Sequence, residues 1–96
     1  MEVIIKKSDK PEKKFVAIIN NDDKVCFGAA GYSDFVHHKD EQRKERYLKR
    51  HQKKEDWNDP FTSGFWSRHL LWQEKTIEGA INYINNRFNL NVKMGV

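Results

Sequence analysis

The sequence has a single cysteine, Cys26, so no disulfide can form within one chain. That scarcity points to a reducing compartment. Long apolar runs are missing as well. The longest, Phe15 to Ile19, is five residues, against the roughly 18–20 needed to span a bilayer. The first, Val3-Ile4-Ile5, is three residues, and no signal peptide is legible. A protein that is neither secreted nor membrane-bound is expected. No glycine-rich phosphate loop is present: Gly28-Ala29-Ala30-Gly31 reads as a loop and not as a nucleotide fingerprint. Metal ligands are few. Cys26, His37, His38, His51 and His69 lack zinc-finger spacing, and the adjacent His37 and His38 would point to different sides of an extended chain. Neither a metal nor a cofactor is expected.

What the chain does have is aromatic side chains and charge. Six Phe, three Tyr and three Trp in 96 residues argue against disorder. The length suits one domain with one modest core. The net charge of +4 is not spread evenly. Residues 37–55 hold eight cations against four anions, while the remainder holds ten of each. The surplus is therefore local, and His37, His38 and His51 lie in the same segment.

The spacing predicts strands over about residues 2–6, 14–20 and 24–28. Asn20-Asn21-Asp22-Asp23 is a turn signal that makes the second and third a β-hairpin. Helices are predicted over about 41–53, 62–72 and 76–88, with Asp40, Thr62 or Ser63, and Thr76 as N-caps. Ile77, Ile81, Ile84 and Phe88 recur at helical spacing as an apolar stripe. Strands first and helices after imply an α+β fold: a small antiparallel sheet covered on one face by two apolar helices, with the basic helix at its surface.

Two features carry chemistry. In the basic segment, Lys44, Arg46, Lys49, Arg50, Lys53 and Lys54 are candidate contacts to phosphates, which arginine grips by charge and by forked hydrogen bonds. The plain alternative is a solvated helix tied by surface ion pairs. His38, Asp40, Arg43, Tyr47 and His51 read as a structural polar network, with Asp40 capping, Arg43 pairing and Tyr47 pinning the helix to the sheet. In the second feature, Trp57, Trp66 and Trp72 stand close together with Phe61 and Phe65. Most of these serve a core short of aliphatic residues. Trp57 is the least periodic and is the candidate for an exposed stacking contact, with Arg68 placed to lie over one of the rings. No residue set fixes an acid–base pair, so no catalytic residues are assigned and a non-enzyme is expected.

The motifs His38-Lys39-Asp40, Arg43-Lys44 with Arg46-Tyr47 and Arg50-His51, Glu55-Asp56-Trp57, and Gly64 to Arg68 with Leu70-Leu71-Trp72 form a long string. The string resembles a family of short uncharacterised proteins of large and giant DNA viruses, over roughly residues 25–88. The resemblance implies a viral origin, with a place in the host cytoplasm or viral factory, the host nucleus or the virion. It brings no activity with it. The leading expectation is a viral accessory protein that binds nucleic acid, DNA first, without sequence preference. The alternatives are a protein-interaction module docking on a host or viral partner, including as a homodimer, and, behind it, a small nuclease or phosphate-transfer enzyme.

Overall fold

The computed structural model describes residues 1–31 and 33–95. It is an α+β fold. Three strands come first: β1 (Glu2–Lys7), β2 (Lys13–Ile19) and β3 (Asp23–Ala29). The turn between β2 and β3 is closed by the Asp22 N–H on the Ile19 carbonyl. Asn20 and Asn21 both adopt left-handed backbone, with φ of 52° and 61°. This is the primed hairpin turn whose twist matches that of the strands, and asparagine tolerates it better than most residues.

Among the described residues, four α-helices and one π-helical turn follow. A short α1 (Phe35–His38) ends where Lys39 takes a φ of 56°, which separates it from α2 (Glu41–His51). Asp40 caps α2 by accepting from the Gln42 and Arg43 N–H groups. The helix stops two residues before the predicted end, so Lys53 and Lys54 lie in a turn beyond it. The predicted 62–72 helix is not continuous: α3 (Ser63–Trp66) passes into a π-helical turn over Ser67–Leu71. Thr76 caps α4 (Ile77–Phe88), and Asn89 ends it in left-handed backbone.

A fourth strand, β4 (Asn91–Met94), corrects the expectation of an all-antiparallel sheet. The strand order is β3-β2-β1-β4, and β4 pairs parallel to β1, with Val3 beside Val92. The Asn85 side chain of α4 bonds both the N–H and the carbonyl of Val92, so part of the outer edge of β4 is satisfied by a helix.

The core follows from strand alternation. Val3, Ile5, Ala17, Ile19, Phe27 and Val92 face one side of the sheet and are buried. Phe65, Trp66, Leu70 and Leu71 from α3 and the π turn pack on them, with Ala80 and Ile84 from α4. The basic helix α2 contributes only Tyr47 to the buried set, which leaves it at the surface.

Candidate nucleic-acid interface

Helical spacing sorts the side chains of α2 into faces. Arg43, Arg46 and Arg50 follow each other at intervals of three and four residues and share one face. All three are exposed, and none makes an ion pair among the described residues. They form one wall of a groove of about 620 Å³. Lys13 and Lys14 at the end of the β-hairpin line it too, and Ser63 and Ser67 add hydroxyls. Gly28 and Leu71 also line the groove. A Cβ at Gly28 would fall 3.0 Å from Leu71 Cδ1 and 3.2 Å from Lys14 Cβ, and its φ is +78°, so a side chain there would crowd its neighbours and strain the backbone.

The cations are not equivalent. Lys14 is committed to the buried carboxylate of Asp34, which His37 also approaches at 3.6 Å. Lys44 does not stand free as predicted. It is half-buried, its ammonium donates to the Gln73 carbonyl at 2.8 Å, and it lies over the Phe35 ring. Arg43, assigned to a buried network, is instead exposed on the groove. The predicted roles of neighbours 43 and 44 are thus exchanged, because one helical step turns Lys44 toward α1 and Arg43 toward the hairpin. Lys49 is exposed and sits 3.8 Å from Glu45. Lys53 and Lys54 are exposed in the turn after α2.

Beside the arginine wall runs a row of four rings, of which Trp72, Tyr47 and His51 are stacked and His38 is tilted by 60° against Trp72. His38 lies 5.2 Å from Trp72, Trp72 is parallel to Tyr47 at 4.2 Å, and Tyr47 stacks on His51 at 4.2 Å. Of the predicted network, Arg43 makes no ion pair among the described residues, and Tyr47 packs on Trp72 and His51. Asp40 caps α2 and gives its own N–H to His38 Nδ1 at 2.9 Å. Desolvation, then the charge of Arg43, holds His38 below its ordinary pKa. Burial first, and the Glu55 carboxylate second, keep the Tyr47 phenol protonated well above its usual range.

His51 ends the stack, and its orientation is fixed from outside. Its Nδ1 lies 3.1 Å from Glu55 Oε2, and the other Glu55 oxygen accepts from Trp57 Nε1 at 2.9 Å. Glu55 can sit there because residue 64 is glycine: a Cβ on Gly64 would come within 2.9 Å of Glu55 Cδ and 3.1 Å of its Cβ. Trp57 is consequently not the free contact expected. It is half-buried, bonded to Glu55 and covered by the Arg68 guanidinium at 5.2 Å.

The groove brings together Arg46 and Arg50 of the predicted contacts and Arg43, Tyr47 and His51 of the predicted network. Lys13, on the hairpin, was missed by sequence reasoning. Its only signal is the Lys13-Lys14 pair beside a strand start, which is also common on solvated edges. Among the described residues no three His, Cys, Asp or Glu side chains come together as a metal-ligand set. No described helix is long and apolar enough to cross a membrane. Comparisons with curated proteins and with solved structures find no match. The profile of a family of unknown function, DUF5754, matches residues 3–51, just over half of the chain and the part that holds both cationic walls of the groove, and the protein belongs to that family.

Proposed function

We propose that this protein binds nucleic acid through the phosphate backbone, in the groove between α2 and the hairpin. The observation that carries the reading is the row Arg43, Arg46 and Arg50, exposed, unpaired among the described residues, and joined on the groove by Lys13. Guanidinium groups without an acidic partner keep their donors for phosphate oxygens. The charge outside residues 37–55 is balanced, and the groove sets Lys13, Lys14, Arg43, Arg46 and Arg50 against Asp34 and Glu55, which leaves its field positive. Contacts from arginine to phosphate carry no sequence information, which fits binding without sequence preference. The motif resemblance to short proteins of large DNA viruses makes a viral accessory role the setting we favour.

The groove cations without an ion pair among the described residues, Lys13, Arg43, Arg46 and Arg50, set the expected salt response. Log affinity should fall against log salt with a slope of about −3. Titrating labelled oligonucleotides at several salt concentrations measures it. Absence of binding at low salt, or affinity indifferent to salt, would remove the proposal.

A further inference from the structure

Resting on that reading, we infer that the nucleic acid taken by the groove is single-stranded, and that His51 is the surface on which one of its unpaired bases stacks. The phosphates go to the arginines, and the base goes to the end of the ring stack.

The first support is the shape of the wall. A helix that reads duplex DNA protrudes into the major groove. Here Arg43, Arg46 and Arg50 line a concavity that they share with the β-hairpin. A concave wall of this kind receives one phosphate-bearing strand, and does not enter a duplex groove as a protruding helix does.

The second support is His51 itself. Tyr47 covers one face of the imidazole at 4.2 Å, with 26° between the planes. No other ring lies against it among the described residues, and its side chain is 36% exposed. The ring is next to Arg50 in sequence and lines the same groove. It is also held still. Stacking on Tyr47 fixes its plane, and the bond to Glu55 fixes its rotation. Glu55 is in turn held by Trp57 and by the gap left at Gly64. A ring already immobilised loses little entropy when a base stacks on it, which favours affinity. A base placed there extends the order His38, Trp72, Tyr47, His51 by one more ring. Paired bases are already stacked inside the duplex and cannot reach it.

The distinction from simple charge attraction is that the effect of His51 depends on the presence of an unpaired base. The test uses fluorescence anisotropy at low salt with three probes: a ten-nucleotide oligothymidylate, a duplex of the same length, and an abasic strand with the same phosphates. The oligothymidylate should bind the wild-type protein more tightly than either of the others. His51→Ala should weaken oligothymidylate binding by about 5- to 100-fold, the range of one lost base stack. It should leave the duplex and abasic strand unchanged. His51→Phe, which keeps a flat ring, should restore most of the loss. Arg46→Ala should weaken all three probes alike. Equal losses for every probe in His51→Ala, or no loss for oligothymidylate, overturns the stacking role while leaving phosphate binding intact. Equal affinity of the wild-type protein for strand and duplex overturns the single-strand preference. If none of the probes binds, the phosphate-binding reading falls and this inference falls with it.

Discussion

His69 is a core side chain whose protonation is strongly altered by its surroundings. It is buried against Phe65, Tyr83 and Phe88. Its Nε2 faces the Trp57 carbonyl at 2.7 Å. A carbonyl only accepts, so Nε2 carries the proton and Nδ1 is bare, without a partner among the described residues. Burial lowers the pKa from 6.5 to about 4, and Arg68 and Arg87 push the same way against the Trp57 bond. The folded state thus keeps His69 neutral where the unfolded chain would take up a proton. Stability from this residue is complete above pH 6.5 and is lost as the pH falls toward 4. The loss amounts to about 3 kcal/mol. Urea unfolding between pH 7 and pH 4 should show it, and His69→Gln should show a flatter profile over the same window. Desolvated His38 adds a loss of the same sign.

Among the elements, α2 is held by few apolar contacts, since Tyr47 is its one buried residue. Local terms therefore matter more for it than for α4. Asp40→Ala removes the acceptor for two N–H groups at the helix start, and should cost about 1 kcal/mol. The melting temperature and the far-ultraviolet circular dichroism report that cost. Asp40 as a cap was legible in the sequence because capping depends on residue type and on the three residues that follow it. The break at Lys39 was not. A lysine in left-handed backbone has no sequence signature, and here its ammonium bonds the Val36 carbonyl. The π turn after Trp66 was equally hidden. An apolar pattern of 3.6 residues cannot reveal one extra residue inside the turn, and packing against the sheet and α4 decides it.

For the molecule as a whole, charge and fold are separable. The groove arginines are exposed and lie outside the core, so they can be reversed without unfolding it. Arg43→Glu together with Arg46→Glu would bring the formal net charge from +4 to zero. Oligonucleotide binding should be lost at every salt concentration, while the thermal melt stays within about 0.5 kcal/mol of the parent, as expected for exposed sites. A melt that collapses instead would mean that these arginines hold the fold together.

By itself the sequence determined the α+β class, the hairpin, the N-caps Asp40, Thr62 and Thr76 and the local origin of the positive charge. Those properties depend on near neighbours: alternation, caps, turn residues and charge counts over a short window. Only the tertiary structure decided that β4 pairs parallel to β1, since its partners lie about ninety residues apart and its four residues carry little pattern of their own. It also decided which basic side chains are free. Arg43 and Lys44 differ by one position and have the same charge, so charge alone cannot tell the free one from the engaged one. Their separation comes from α1 and the segment after the π turn, where Phe35 and the Gln73 carbonyl engage Lys44, leaving Arg43, Arg46 and Arg50 on the groove with His51 beside them.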